Sequence, residues 1–438
     1  MFRPQGLARK ACGPLAFALL AALFVAVNLR AYRGFFQSDE LDNLGWVALA
    51  PKLYYLEIVL SPRFQLDNFR PVGHFFFREG ALHFGLVFWK YVACIQALHL
   101  LNVWLVWRLA RRLGAQPLAA AGGALLFAFH MALFDVFWKP MYVFDLLCAT
   151  CCLLSLLLYA RGRWVLSFVA FWLAYKSKEL AVMLPCVLAA YEIWFGKRNW
   201  KPLAPFFLAS LSFGLQGLLL NPNHDNDYTF RFTVAAFVRT LQFYSAKIFL
   251  WHYLFLLLPV AVVIARNRRA WFGLTMMVLF FFPLMFLPGR LFSAYCYVPF
   301  IGLAIAFSGI APMGKWIPAA VFLLLFAPLD AHVLATQRSD TLRQASATRS
   351  WLTTIVQFTQ THPEIEGVVF RGLPRGYSQA ACEGALRYLY HAHGLVVLDA
   401  NDPKAPDMLN RPDVAVLTWF DQPQYLDIDL TRHAQARP

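Results

Sequence analysis

The chain has 438 residues, of which 60% are hydrophobic, 17% aromatic and only 14% charged. A soluble protein is about 25% charged, so this composition excludes a water-soluble globular enzyme and predicts a helical protein with many membrane spans. The net charge of +15 is also typical of nucleic-acid-binding proteins, but residues 1–334 hold 29 Lys/Arg and 13 Asp/Glu, against 10 and 11 in residues 335–438. The basic excess therefore belongs to the membrane part, and we expect no nucleic-acid partner.

Apolar segments of about twenty residues recur along the chain, and basic clusters mark alternate loops between them. Reading those clusters as cytoplasmic predicts eleven spans, with the N-terminus inside and the last hundred or so residues outside. No small-x-small cleavage site follows the first span, so we expect it to remain as an anchor. The predicted limits are 13–31, 88–109, 117–134, 140–160, 164–177, 181–195, 203–220, 243–265, 271–287, 292–311 and 316–334.

An acidic pair, Asp39-Glu40, follows the first span almost directly and is itself followed by Asp42. Carboxylates are costly at a membrane surface and a simple anchor does not need them, which favours a chemical role for Asp39 and Glu40. The alternative is an ordinary helix cap, because Ser38 and Asp39 are both good N-cap residues.

The first external loop, residues 32–85, is too long for a simple connector. We expect helices along the membrane surface at Leu41–Leu49 and Pro51–Leu60. Arg70 precedes Pro71, which disfavours helix, so Arg70 is expected on an extended or turn segment. Its guanidinium could bind a phosphate or form a structural ion pair with Asp39, and the sequence leaves both open.

Further polar residues lie near span ends predicted to share the outer face. Each alone is explained as an interfacial anchor, but together their cations would suit a phosphate leaving group. The candidates are Asp42 and His74 in the first loop, Lys139 and Asp145 around the turn between spans three and four, Lys178 and Glu179 between spans five and six, Arg231 after span seven, and Arg290 and Tyr297 near span ten.

Six motifs occur in a recognisable order. They are Ser38-Asp39-Glu40, Phe69-Arg70-Pro71-Val72, His99-Leu100-Leu101-Asn102, Phe144-Asp145-Leu146-Leu147, Lys176-Ser177-Lys178-Glu179 followed by Leu184-Pro185 and Tyr191-Glu192, and Arg290 with Tyr295-Cys296-Tyr297-Val298-Pro299. Over residues 13–311 the chain resembles the GT-C superfamily of membrane glycosyltransferases, which use polyprenyl-phosphate sugar donors. More narrowly, it resembles the bacterial relatives of the transmembrane, tetratricopeptide-bearing protein O-mannosyltransferases. This chain has no tetratricopeptide repeats, and Tyr142-Val143-Phe144-Asp145 replaces a Gly-Arg/Ser-Asp pattern.

The resemblance implies transfer of a sugar from a polyprenyl-phosphate donor to a hydroxyl of an envelope acceptor, which could be a glycan, a lipid or a protein. The reaction would take place on the extracytoplasmic face of a bacterial inner membrane. In the superfamily an acid in the first external loop is the general base, which carries over to Asp39. Glu40 would be its partner, a metal ligand or an orienting group, and a divalent cation, if used, would bind Asp39 and Glu40. The candidates for the donor phosphate and lipid are Arg70, Lys178, Arg290 and Tyr297.

The expected fold is an all-α polytopic membrane protein of GT-C type over residues 1–334, followed by a small extracytoplasmic α/β domain over residues 335–438. That domain should contain strands at 367–370, 395–398 and 414–417, with an amphipathic helix at 379–393. It has neither a Gly-rich phosphate loop nor a nucleophile elbow, so we expect it to be accessory. Two other classes are a transporter or lipid flippase, which would show repeats and midplane charges, and a scaffold, which would not need the acidic loop.

Overall fold

The computed structural model describes residues 5–63, 69–220, 227–310, 316–391 and 394–430. The helices are α1 (Gln5–Val27), α2 (Ser38–Leu49), α3 (Lys52–Leu60), α4 (Pro71–Phe84), α5 (Phe88–Arg112), α6 (Pro117–Phe129), α7 (Phe134–Trp138), α8 (Val143–Tyr159), α9 (Trp164–Ser177), α10 (Leu184–Trp194), α11 (Ala204–Leu220), α12 (Val234–Phe249), α13 (Leu257–Ala265), α14 (Arg268–Phe281), α15 (Tyr297–Ile310), α16 (Trp316–Thr361), α17 (Gln379–Tyr390) and α18 (Ala405–Leu409). Short 3-10 helices occupy Leu29–Arg33, Met131–Leu133, Pro140–Tyr142, Glu179–Met183, Lys201–Leu203, Leu254–Leu256, Phe282–Phe286 and Ser293–Cys296. The strands are β1 (Gly367–Arg371), β2 (Val396–Asp399), β3 (Val414–Asp421) and β4 (Gln424–Leu430).

The helices agree with a polytopic membrane protein, which confirms the predicted class. Among the described residues, four helical segments are each long and apolar enough to cross a membrane: Phe88–Arg112, Pro140–Tyr159, Arg268–Phe286 and Ser293–Ile310. The number rises to six if two bent pairs each count as one span: Pro117–Phe129 with Met131–Trp138, bent by 51°, and Val234–Phe249 with Leu254–Ala265, bent by 78°. The other predicted spans coincide with shorter helices or with part of a longer one. The number of eleven crossings and the side of each terminus stay predictions.

Exposed apolar faces show which helices would meet lipid. Leu15, Leu19 and Leu23 of α1 are all more than half exposed, as are Leu208 and Leu211 of α11. Such faces are stable in the bilayer interior, because lipid tails are as apolar as the leucine side chains that they contact.

A buried polar network holds the centre of the helical bundle together. His99 Nε2 donates a hydrogen bond to the Ala128 carbonyl at 3.1 Å. The other ring nitrogen, Nδ1, therefore accepts a hydrogen bond from the Tyr297 hydroxyl at 2.8 Å. Asn102 Nδ2 donates to the same hydroxyl at 3.2 Å, and Thr150 Oγ1 donates to Asn102 Oδ1 at 2.7 Å. Polar groups without water must satisfy one another, so this network fixes α5, α8 and α15 relative to one another.

The first external loop is helical at both predicted positions, in α2 and α3. On α3, Leu53, Leu56 and Leu60 are exposed while Tyr55 and Ile58 are buried. An apolar face left open outside the bundle is the arrangement of a helix lying along a membrane surface.

A third helix in that loop, α4, was not predicted, because Pro71 was taken only as a helix breaker. Pro71 is instead the first residue of α4, where its missing N–H and fixed φ are favourable. Arg70 is the N-cap, with φ −109° and ψ 93°, which confirms the extended conformation expected before a proline.

The C-terminal region is a small α/β unit, as predicted. Its sheet has the order β2-β1-β3-β4, in which β1 pairs in parallel with β2 and β3, and β3 pairs antiparallel with β4. Strand β4 and helix α18 were not predicted, because the hydrophobic residues of β4 are interrupted by aspartates and form no apolar run, and α18 has only five residues. The predicted boundary at residues 334 and 335 falls inside α16, so the helix that covers the last predicted span continues into the C-terminal region.

Candidate functional site

Asp39 lies in the first turn of α2, next to the membrane bundle. Gln37, and neither Ser38 nor Asp39, is the N-cap of this helix, so the capping alternative for Asp39 is wrong. Asp39 is exposed, and among the described residues its carboxylate makes no hydrogen bond or ion pair. Desolvation by the surrounding protein raises the pKa of this carboxyl, while the charges of Arg290 and Lys139 act to lower it. The site therefore combines an accessible carboxylate with two cations from distant parts of the chain.

Glu40 has the capping role that Asp39 lacks. It is fully buried, its Oε2 accepts from the backbone N–H of Gln37 at 2.6 Å, and its Oε1 accepts from that of Met141 at 3.2 Å. Burial raises the pKa of Glu40 to about 7, with the two hydrogen bonds acting in the opposite direction. Of the three roles considered for Glu40, this geometry favours the orienting one, since both oxygens hold the start of α2 against the turn before α8.

Asp42 lies one turn further along α2 and faces the C-terminal unit. Burial raises the pKa of Asp42 to about 6, and the charges of Asp39 and Glu383 add to this rise while Arg387 opposes it. Glu383 and Arg387 belong to α17 and form an ion pair with each other. The charges around the acidic segment therefore come partly from the C-terminal unit.

Lys178 and Asp145 form a buried ion pair. Lys178 Nζ lies 2.5 Å from Asp145 Oδ1, and the two side chains are 10% and 2% exposed. Lys178 terminates α9 in an extended conformation, where the helix breaks before the 3-10 turn. Its charge is therefore compensated inside the protein.

Arg70 pairs with Glu179, so the structural partner suggested for it, Asp39, was wrong. Arg70 Nε lies 2.8 and 3.1 Å from the two carboxylate oxygens of Glu179. Burial alone would raise the pKa of Glu179, but the charge and hydrogen bonds of Arg70, together with a backbone hydrogen bond and the charge of Lys178, hold this pKa below its usual value. A phosphate bound by Arg70 would therefore share its guanidinium with the Glu179 carboxylate.

His74 supports the segment that carries Arg70. Its Nδ1 accepts from the Arg70 N–H at 3.0 Å, and its ring stacks on Phe69 with centroids 4.6 Å apart. Burial lowers the pKa of His74 to about 4, so the ring is neutral at pH 7. Its role is to pack against Phe69 and to accept a hydrogen bond from the backbone of Arg70.

Arg290 is surrounded by aromatic side chains. Its guanidinium is 4.3 Å from the ring centroid of Tyr228 and 4.7 Å from that of Phe292, and its Nη2 donates to the Tyr295 hydroxyl at 3.2 Å. Within the described ranges Arg290 joins no ion pair, and its Nε is buried without a hydrogen-bond partner. Aromatic rings hold the cation in place but do not neutralise it, so its charge remains available to an anion.

Tyr295 connects the two cations that the sequence placed on separate segments. The Lys178 ammonium lies 4.2 Å from the Tyr295 ring centroid, and Arg290 is hydrogen-bonded to the hydroxyl of the same residue. Lys178 and Arg290 therefore approach one another around a single side chain.

Lys139 is tied to the same region. It pairs with Asp135 at 2.9 Å, and the Ser293 hydroxyl donates to the other oxygen of Asp135 at 2.8 Å. Ser293 follows Arg290 by three residues, so this chain of contacts connects the turn carrying Lys139 to the turn carrying Arg290.

The last two predicted site residues, Tyr297 and Arg231, differ in exposure. Tyr297 is fully buried, and its hydroxyl is engaged by His99 and Asn102 in the bundle core, so its position does not suit the predicted phosphate contact. Arg231 lies on the exposed segment before α12, where its backbone N–H donates to the Phe286 carbonyl at 2.8 Å.

Asp39 and Glu40 were the predicted ligands of a divalent cation, if one is used. Among the described residues, no three His, Cys, Asp or Glu side chains are grouped so as to hold a metal ion. Both oxygens of Glu40 already accept from backbone N–H groups, so Glu40 would have to give up a hydrogen bond to bind a cation.

The sequence identified most of these residues but not their partners. Arg70 and Glu179 are 109 positions apart, and Lys178 and Asp145 are 33 apart. Both pairs join members of the motifs described above, which was the only signal of their association. Tyr228 and Phe292 were missed as contacts of Arg290, because aromatic residues are common throughout this chain.

The fold has known counterparts. It is similar to the crystal structure of ArnT from Cupriavidus metallidurans bound to undecaprenyl phosphate, with a TM-score of 0.55 and 15% sequence identity over 93% of each chain. The apo structure of ArnT from the same organism gives a TM-score of 0.51 and 16% identity over 93% of this chain and 94% of that one. No protein-family model and no curated protein sequence matches this chain. The structural likeness confirms the GT-C-type fold, and it does not support the narrower resemblance to the protein O-mannosyltransferases.

Proposed function

We propose that this protein is a membrane glycosyltransferase that transfers a sugar from a polyprenyl-phosphate donor to a hydroxyl of an envelope acceptor. The reaction takes place at the extracytoplasmic face of a bacterial inner membrane. The observation that carries the proposal is the placement of Asp39, an accessible and unpaired carboxylate, in the field of Arg290, a cation without a carboxylate partner among the described residues. The ArnT fold, which is known with undecaprenyl phosphate bound, supports the choice of a lipid phosphate.

Asp39 is the general base in this proposal. The acceptor hydroxyl gives its proton to the Asp39 carboxylate while its oxygen attacks the anomeric carbon of the sugar. The bond between that carbon and the phosphate oxygen breaks, and the polyprenyl phosphate leaves with the electron pair. A raised pKa makes the ionised carboxylate a stronger proton acceptor.

Arg290 stabilises the leaving phosphate. The phosphate gains charge as the bond breaks, and a fixed cation in a poorly solvated site stabilises that charge more than water would. Lys178 and Arg70 contribute less directly, since Asp145 and Glu179 already compensate them. Glu40 holds the helix that presents Asp39.

The test is a direct assay on purified protein. A panel of polyprenyl-phosphate sugars is incubated with envelope glycans, lipids and proteins, and transfer of the sugar is followed by mass spectrometry. Sugar transfer that depends on Asp39 supports the proposal. If undecaprenyl phosphate binds but no sugar is released from any donor, the glycosyltransferase assignment fails and lipid transport becomes the better explanation.

A further inference from the structure

The helix that carries Asp39 is in backbone contact with the C-terminal unit. Helix α2 crosses α17 at Gly45 and Gly384. A Cβ atom added at Gly45 would lie 2.6 Å from the Gly384 Cα, and one added at Gly384 would lie 2.5 Å from the Leu41 carbonyl oxygen and 2.6 Å from the Asp42 Cα. Neither position accommodates a methyl group unless one helix moves, since real Cβ atoms do not approach backbone atoms this closely.

The N-terminal ends of the same two helices are also joined. The Ser38 and Ser378 hydroxyls lie 3.0 Å apart, and the Ser378 N–H donates to the Ser38 hydroxyl at 3.2 Å. Ser378 is the N-cap of α17, and Ser38 directly precedes Asp39. Both the start of α2 and its second turn are therefore held by α17.

Helix α17 is itself firmly seated. Its residues Cys382, Ala385 and Leu386 are buried in the main hydrophobic core. Tyr377, directly before the N-cap of α17, packs on the buried Trp351 of α16 with ring centroids 5.2 Å apart. Because α17 is close-packed against the core, it does not move aside, and a displacement at its contact with α2 shifts α2 instead.

We infer that the C-terminal unit is a positioning element of the active site, in which Gly384 and the Ser378–Ser38 contact set the place of Asp39 relative to Arg290. This inference rests on the proposed role of Asp39 as the base. It replaces the accessory role expected from the sequence, and it makes Gly384 a positioning residue 345 positions away from the carboxylate it places.

The test is the Gly384→Ala variant compared with Gly394→Ala. Gly394 lies in the same C-terminal unit, and a Cβ added there meets no atom within 4 Å, so it is a matched control for the change of residue. We expect Gly384→Ala to lower kcat by about tenfold to a hundredfold, because a shift of about 1 Å in a reacting group has effects of that size. The affinity for undecaprenyl phosphate should stay unchanged, since Arg290 and the aromatic residues around it lie on neither α2 nor α17.

A merely structural role would give a different pattern. It would lower the yield or the melting temperature while leaving kcat per folded enzyme at the level of Gly394→Ala. The Gly45→Ala/Gly384→Ala double variant adds a second criterion. Both methyl groups force the same two helices apart, so the combined loss in kcat should be smaller than the product of the two single losses.

If Gly384→Ala does not fold, Ser38→Ala and Ser38→Thr serve instead. The alanine removes the hydroxyl that bridges to Ser378 and should lower kcat, and the threonine restores the hydroxyl and should restore kcat. Equal kcat for wild type, Ser38→Ala and Ser38→Thr would overturn the inference in that case.

The Asp39→Asn variant separates the two possible failures. If it is inactive while folded Gly384→Ala matches Gly394→Ala in kcat, the positioning inference is overturned and the base role stands. If Asp39→Asn keeps its turnover, the base role is refuted and the inference that rests on it fails as well.

Discussion

The Lys178 ammonium lies 2.5 Å from the Asp145 carboxylate, and both side chains are almost inaccessible to solvent. Lys178 is at the break between α9 and the following 3-10 helix, and Asp145 is in the first turn of α8. The pair therefore joins a helix break to a helix start, on the side of the bundle where Tyr295 and Arg290 lie.

Removing one member of this pair should destabilise the protein strongly. Lys178→Met leaves the Asp145 carboxylate buried without its partner, which costs about 3–5 kcal/mol of the free energy of unfolding. The double variant Lys178→Met/Asp145→Leu leaves no unpaired charge and should regain most of that loss. Thermal unfolding in detergent measures both. Lys52→Met, at an exposed lysine, is the control, and a single variant as stable as this control would show that the pair has no structural role.

Asp39→Asn should lower turnover by about 10² to 10⁴, the usual effect of removing a general base. Asparagine keeps the size of the side chain but cannot accept a proton at neutral pH. A capping explanation no longer competes, because Gln37 caps the helix. The measurement is the initial rate of sugar transfer at saturating donor, with the melting temperature as a check on folding. Near-normal turnover in a folded Asp39→Asn variant would refute the base role.

Arg290→Gln should weaken the binding of undecaprenyl phosphate by about 1–3 kcal/mol, the range for losing a hydrogen bond to a charged group. This corresponds to about 5-fold to 150-fold in Kd. Native mass spectrometry or a fluorescence titration gives the affinity, and Arg161→Gln, in a loop predicted to be cytoplasmic, is the control. Equal affinity in the two variants would leave Arg290 as an aromatic-packed interfacial anchor.

The raised pKa of Glu40 predicts a specific dependence of stability on pH. Its pKa is raised from 4.5 to about 7 in the folded protein, so between these values the folded state holds a proton that the unfolded state has lost. The stabilisation from this proton is complete below pH 4.5 and is lost as the pH rises to about 7. We expect the melting temperature of the wild type to fall over this range by more than that of Glu40→Gln, which cannot titrate. Parallel curves for the two proteins would contradict the assignment.

The same variant separates the roles of the two neighbouring acids. Glu40→Gln keeps one carbonyl oxygen as an acceptor and loses at most one of the two backbone hydrogen bonds. Its turnover should therefore be much higher than that of Asp39→Asn under the same conditions. An Asp39→Asn variant more active than Glu40→Gln would reverse the assignment of base and orienting group.

The sequence by itself determined the class of the protein and the positions of most helices. Long apolar segments are stable as helices only in a lipid or protein interior, where each backbone polar group must be satisfied within its own segment, so hydropathy alone locates them. Short apolar runs rich in valine likewise located β1, β2 and β3 in the C-terminal unit. The extended conformation of Arg70 followed from Pro71, because the steric restriction before proline is local.

Only the tertiary structure decided which acid is accessible and which is structural. Asp39 and Glu40 are adjacent and chemically alike, yet α2 turns successive side chains about 100° apart, so one faces the site and the other the protein interior. Asp39 is left accessible near Arg290, while Glu40 is buried against the backbone of Met141, which is 101 positions away. The contact of Gly45 with Gly384 is decided in the same way, because close approach depends on how distant helices cross and leaves no local pattern in the chain.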